Sequence, residues 1–239
     1  MGVHLPKPLH GWRAFAGEVG VVLLGVLLAL GAQQIVSDWQ WRSDVRDADR
    51  RLSAELSADV ALAYDRFAID PCLRPRLAEL RDQLMNVGPT WPGSRVELAN
   101  DLFKSGFPPV YRTPGRPLAQ ASWQNAQTSG VIGHFHADRA QQLGGLFDTV
   151  ALIKQAQSEE EHMSESLGDL AFAGPISAAE RRADLKTVAS LDALDARIVF
   201  TAHLLVDDAR KAGIGADPKS LKQLLDQQRS YRGACVRDR

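Results

Sequence analysis

The chain has little of what usually announces chemistry. Of its 239 residues only two are cysteine, Cys72 and Cys235, and they stand far apart. That excludes the paired Cys-x-x-Cys spacing of zinc and redox sites. No Gly-rich phosphate loop occurs, and Gly144-Gly145 is a lone pair inside a helical pattern, where small residues permit close packing. Ser122, Ser129 and Ser190 lie in no Gly-x-Ser-x-Gly elbow. Charge of one sign is also missing: 28 Lys and Arg face 29 Asp and Glu. A balanced chain without a basic stripe has no field to attract nucleic acid, so no nucleic-acid partner is expected. β-Branched residues are thin among abundant Ala, Leu, Arg, Asp and Gln, which leans the chain toward helix. No catalytic residue, cofactor-binding residue or metal ligand is expected.

What the chain does have is one long apolar run. Residues 14–36 carry a single charge, Glu18, and two amides, Gln33 and Gln34. A bilayer-crossing helix needs about 20 mainly apolar residues. Trp12 precedes the run, and Trp39 and Trp41 follow it, as indoles do at headgroup depth. Gly25 and Ala29 form a small-xxx-small pair where another membrane helix can approach closely. A cleaved signal peptide is the rival reading, with Ala29-Leu30-Gly31 as its cleavage site. Against it, Glu18 adjoins the run, and apolar character resumes at Ile35-Val36. A buried core helix is disfavoured by the flanking tryptophans. The expected partners are therefore a lipid bilayer and, through Gly25 and Ala29, other membrane proteins.

Orientation sets two signals against each other. Lys7 and Arg13 lie before the run; Arg42, Arg46, Arg50 and Arg51 follow it, interleaved with acids. By count the positive-inside rule places the C-terminal domain in the cytoplasm. A short N-terminal arm is rarely the exported end, and two cysteines suit an oxidising compartment. The expectation is a bacterial inner-membrane protein with a cytoplasmic N-terminus, a periplasmic domain and a Cys72–Cys235 disulfide.

The rest divides simply: residues 1–13 are an arm, 14–36 an anchor and 37–239 a helical soluble domain. Val45, Ala48, Leu52, Leu56, Val60, Tyr64 and Phe67 recur at steps of three and four. No Gly or Pro interrupts residues 32–69, so the anchor is expected to run on as a rod until Pro71 bends or stops it. A second helix is expected over 73–85. Residues 87–117 hold six of the twelve prolines, with a short helix expected near 95–104. Trp91, Phe103, Phe107 and Tyr111 argue that this Pro-rich segment packs. Further helices are expected over 118–129, closed by Gly130, and over 138–170. Another is expected from a Ser177/Glu180 capping box to Gly213, with Leu204 and Leu205 on its apolar face. The last should run from Pro218 to about Cys235. The fold class is all-α: an irregular bundle on a membrane helix, with a Pro-rich irregular segment.

Two histidine patterns invite metal. Glu159-x-x-His162 has di-iron spacing but stands alone in a charged run that reads as a solvated face. His134-Phe135-His136 reads as an interhelical turn without further ligands. His203, in an apolar helix, reads as a packed histidine.

Three stretches together carry a resemblance. They are residues 17–34, the run Asp70-Pro71-Cys72-Leu73, and Trp123-Gln124-Asn125-Ala126-Gln127-Thr128-Ser129-Gly130. The chain resembles a family of bacterial single-span membrane proteins, N-terminally anchored, to which no activity is assigned. The resemblance implies a helical extracytoplasmic domain. The expected function is a non-enzymatic, membrane-anchored scaffold or accessory subunit. The alternative is a small-ligand-binding module with its pocket beside the Pro-rich segment, where Trp91, Phe107, Tyr111 and Trp123 would contact ligand or partner.

Overall fold

A computed structural model describes residues 12–96, 110–113 and 115–237, with residues 12–14 described by their backbone alone. Five α-helices order the described residues: α1 (Trp12–Asn86), α2 (Ala121–Thr128), α3 (Ala137–Ser166), α4 (Ala178–Lys211) and α5 (Pro218–Arg232). Two-residue strands β1 (Thr90–Trp91) and β2 (Gly174–Pro175) pair antiparallel, with Thr90 opposite Pro175. The all-α class holds.

Helix α1 is the spine. Its 75 residues span about 110 Å at roughly 1.5 Å each. Pro71 and Pro75 both lie inside it. The expected stop at Pro71, and with it a separate helix over 73–85, is overturned: the helix runs on through both prolines. A helical proline costs about 3 kcal/mol. Here Ile69, Leu73, Leu77, Leu80 and Leu84 continue one buried stripe through the prolines. Each fully buried aliphatic is worth about 1.5–3 kcal/mol, so packing outweighs the penalty. The Arg237 N–H donates to the Ala68 carbonyl at 2.9 Å, next to the Phe67 carbonyl that Pro71 leaves without its helical donor.

Two cores lie end to end along α1. In one, Leu52, Leu56 and Val60 meet Leu143, Phe147 and Val150 of α3 and Ile198 and Leu205 of α4. In the other, Ile69 to Leu84 meet Trp91, Tyr111, Leu167, Leu170, Leu191 and Val236. Helix α4 serves both, with Ile198 and Leu205 in the first and Val188 and Leu191 in the second, while α3 reaches the second only through half-buried Met163.

Local rules set most boundaries. At α4, Ser177 Oγ accepts from the Glu180 N–H at 3.2 Å, and Glu180 Oε2 accepts from the Ser177 N–H at 2.8 Å. At α5, the Asp217 carboxylate accepts from the Ser220 N–H at 2.8 Å, with Pro218 in the first turn. Gly130, at φ +74°, follows α2. Three boundaries moved. Helix α2 begins at Ala121, not Leu118, because the Ala119 N–H is bound to Asp59 at 3.0 Å. Helix α3 gives way after Ser166 to a 3₁₀ turn, Gly168–Ala171. Helix α5 ends at Arg232, and Gly233–Cys235 form a 3₁₀ turn. Leu204 was expected on the buried face of α4 but is 44% exposed. The stripe runs through Ile198, Ala202, Leu205 and Ala209, which leaves Leu204 about 100° away from its neighbour Leu205.

The Pro-rich segment lies partly outside the described residues, including most of the short helix expected at 95–104, together with Phe103 and Phe107. Its start is held firmly. The Trp91 indole N–H donates to the Leu170 carbonyl at 2.7 Å, and the Ser94 N–H donates to the same carbonyl at 2.8 Å. Gly93 is required between them: its φ is +82°, and a Cβ there would stand 3.1 Å from the Ala173 nitrogen.

Candidate functional site

The apolar segment of α1 stands apart from both cores. Its most apolar 18-residue window has a mean hydropathy of 2.2, and none of that window is buried. Val21, Leu24, Leu27 and Leu30 are all more than half exposed. Among the described residues this is one helix long and apolar enough to cross a membrane. Among the described residues nothing packs on Gly25: a Cβ there would meet no atom within 4 Å. Ala29, one turn on, is exposed as well.

At the junction of the two cores lies a charged cluster. Arg66 of α1 is fully enclosed, as are Glu160 of α3 and Asp195 of α4. The Arg66 guanidinium donates to both Glu160 oxygens, at 3.0 and 2.6 Å, and also to Asp195. The Tyr111 hydroxyl donates to Glu160 at 3.3 Å. One guanidinium thus ties three helices. Burial raises the Asp195 pKa to about 6, opposed by the Arg66 charge. Burial, reinforced by Glu160, also pushes the Tyr111 phenol upward and keeps it a donor.

A second line of buried acids runs along α1. Asp65 accepts from Arg116 at 2.9 Å and from Gln228 of α5 at 3.2 Å. Burial raises its pKa, opposed first by Arg116. Among the described residues Asp59 accepts only from the Ala119 N–H, and burial pushes its pKa up to about 7. These groups weld helices and connections to the spine.

Sequence reasoning missed this cluster, although a signal existed. Glu160 was taken with its neighbours as a solvated run. It continues the buried series Val150, Ile153, Ala156 at helical spacing, whereas Glu161 and His162 point outward. Asp195 likewise falls between Leu191 and Ile198. A charge on an otherwise apolar stripe marks a buried ion pair.

Cys72 and Cys235 stand at disulfide distance, with Sγ–Sγ 2.04 Å and Cα–Cα 5.2 Å. Because α1 does not turn back at Pro71, the pair joins the chain's end to mid-helix, not to a bend. Trp91 and Tyr111 are buried in the second core, and Trp123 stacks on Phe147 with ring centroids 5.2 Å apart. Trp123 also covers Gly144, whose missing Cβ would lie 3.6 Å from the indole. Of the proposed contact residues, Phe107 lies outside the described residues. A cavity of about 280 Å³ beside the described part of the Pro-rich segment is lined by Arg76, Arg95, Arg112 and Arg232, with Glu79, around Tyr111. It is a basic cavity, not an aromatic one. A more apolar cavity of about 390 Å³ lies between α1, α4 and α5, where His203 stacks on Phe67 at 3.9 Å.

Among the described residues, no group of three or more His, Cys, Asp or Glu is placed to hold a metal. Glu159 pairs with Arg197 at 2.7 Å, and His162 lies on the exposed surface. No family model, curated protein or solved structure matches the chain.

Proposed function

We propose that the chain is a membrane-tethered, non-enzymatic scaffold or accessory subunit of a bacterial inner-membrane assembly. In this reading residues 14–36 cross the bilayer, the N-terminus is cytoplasmic and the helical domain is periplasmic. The observation that carries it is the apolar segment of α1, whose most apolar 18-residue window is left unburied by the described residues. Each Val or Leu left in water forgoes about 1.5–3 kcal/mol, so such a segment calls for lipid or a partner helix. The open Gly25–Ala29 face supports close helix–helix contact. The cysteine pair at bonding distance supports an oxidising compartment. Trp91 and Tyr111 are spent on the core, which favours a scaffold over a pocket lined by those rings. The resemblance to single-span membrane proteins agrees with the same reading.

The test is affinity purification of the full chain from mild detergent, followed by mass spectrometry. A membrane protein recovered in stoichiometric amount, and lost with Gly25→Leu, is the expected result; recovery of the chain alone would refute the assembly role. Alkaline phosphatase and green fluorescent protein, fused separately after Arg239, report orientation. A bright fluorescent fusion with inactive phosphatase would reverse it.

One observation favours a second reading, a small-ligand-binding module. It is the arginine-lined cavity beside Tyr111. Arg76 there is already taken by Glu79, Ser94 and the Val110 carbonyl, and the cavity's remaining positive charge suits a small carboxylate or phosphate rather than an apolar ligand.

A further inference from the structure

The His134-Phe135-His136 turn has a place in the fold that its spacing did not suggest. It folds back against the part of α1 that leaves the apolar segment. The His134 ring stacks on Trp41, with centroids 3.8 Å apart and planes 14° from parallel. Beside this pair opens a crevice of about 690 Å³, lined by Trp39, Trp41, Arg42, Arg46 and His134, with Asp38 at its edge.

Its charges are unevenly matched. Asp38 accepts from Gln34 at 2.9 Å, Asp47 is paired with Arg50, and Asp49 with Arg139 at 2.8 Å. Asp44 does not line the crevice. Arg42 has no hydrogen bond or ion pair from its guanidinium among the described residues, and Arg46 gives only its Nε, to the Arg42 carbonyl at 3.1 Å. That bond lays Arg46 back along α1 toward the apolar segment, the direction in which helical side chains lean. The crevice therefore holds two guanidinium groups that no carboxylate pairs among the described residues, one carboxylate, Asp38, bonded to Gln34, one imidazole and two indoles. Trp39 is 68% exposed.

Depth follows from helix geometry, and here the argument rests on the reading that residues 14–36 span a bilayer. Trp41 and Arg42 lie five and six residues past Val36, about 7.5 and 9 Å along the axis, and Arg46, about 15 Å out, reaches back one turn to the Arg42 carbonyl. The headgroup layer on each side of the hydrocarbon is roughly 5–7.5 Å thick. We propose that this crevice is a binding site for the phosphate of an anionic phospholipid in the adjoining leaflet, with Arg42 and Arg46 as its donors. Trp39 lies at headgroup depth beside the lipid, and the Trp41–His134 stack walls the site on the domain side. The domain is thereby seated on the membrane at a second point, apart from the span.

The test uses the full chain in nanodiscs of phosphatidylcholine with a minor share of phosphatidylglycerol. The protein is then released into mild detergent, and retained lipids are counted by native mass spectrometry. The wild type should keep phosphatidylglycerol in preference to phosphatidylcholine. Each arginine removed should lower that preference about fivefold, so Arg42→Gln/Arg46→Gln should lose about 25-fold. Arg50→Gln/Arg51→Gln, farther along α1, should leave it unchanged. Equal retention by the Arg42/Arg46 variant, or no preference in the wild type, overturns the site while the spanning reading stands. Complete displacement of the lipid by inorganic phosphate overturns the lipid assignment. A chain that does not enter nanodiscs at all refutes the span, and the site with it.

Discussion

Between residues 15 and 36, helix α1 turns its leucines and valines outward; between residues 59 and 66 the same helix turns Asp59, Asp65 and Arg66 inward. The apolar end lies exposed, and the charged end sits among other helices. What separates them is partners rather than hydrophobicity. The buried charges are tolerated because α3, α4 and α5 bring Glu160, Asp195 and Gln228 to meet them. The exposed leucines meet no other element among the described residues.

The contrast breaks most visibly if the apolar end is made polar. Leu24→Arg with Leu27→Arg should move the protein from the carbonate-resistant membrane pellet to the soluble or aggregated fraction. Each arginine at a span's centre costs about 2.5–3.5 kcal/mol. Retention in the pellet would show that another part of the chain holds the membrane. The opposite change, removing charge from the inside, tests the other end. Arg66→Met strands two buried carboxylates and should destabilise the domain by about 3–5 kcal/mol in urea titration. Replacing all three groups together, Arg66→Met/Glu160→Leu/Asp195→Leu, should recover most of that loss. A single substitution costing under about 1 kcal/mol would mean the cluster bears little weight.

The staple between core and chain end comes next in size. Cys72→Ser with Cys235→Ser should cost about 2–4 kcal/mol, short of the roughly 5 kcal/mol that a loop this long yields in the chain-entropy model. Maleimide labelling of denatured protein, with thiols trapped at lysis, reads the bond directly. Two labels without reductant would deny it. The smallest effect belongs to Asp59. Its pKa rises from 3.8 unfolded to about 7 folded, so the folded state holds the proton more tightly. Stability is then greatest below the unfolded value and falls as pH climbs from about 4 to 7. Asp59→Asn keeps an acceptor for the Ala119 N–H and carries no charge. At pH 8 it should be the more stable form by about 1–2 kcal/mol, with the difference gone near pH 4. An unchanged pH profile would assign the wild type's slope to other groups.

Much of this was legible in the residues because helices announce themselves by period. Leu143, Leu146, Val150 and Ile153 mark one face, and Ser177 with Glu180 marks a start, without reference to anything distant. Pro71 misled for the same reason. Its penalty is local and its compensation is not, since the buried stripe from Ile69 to Leu84 has value only against Trp91, Leu167 and Leu191. The charged cluster was hidden in a similar way. Glu160 alone in an acidic run reads as solvent-facing; its guanidinium lies 94 residues away in sequence. His134 shows the limit clearly. Its neighbours in sequence suggest ligands, while its partner in space is Trp41.

An unbroken α1 also fixes a phase. Because one helix runs from the apolar segment to the second core, turning either end turns the other. Inserting a single residue just after Val36 would swing the whole domain by about 100° and raise it by roughly 1.5 Å. A partner seated on Gly25 and Ala29 would therefore dictate the compass bearing of every surface above it. Such a stem transmits torque as a drive shaft does, with no hinge along its length to absorb it.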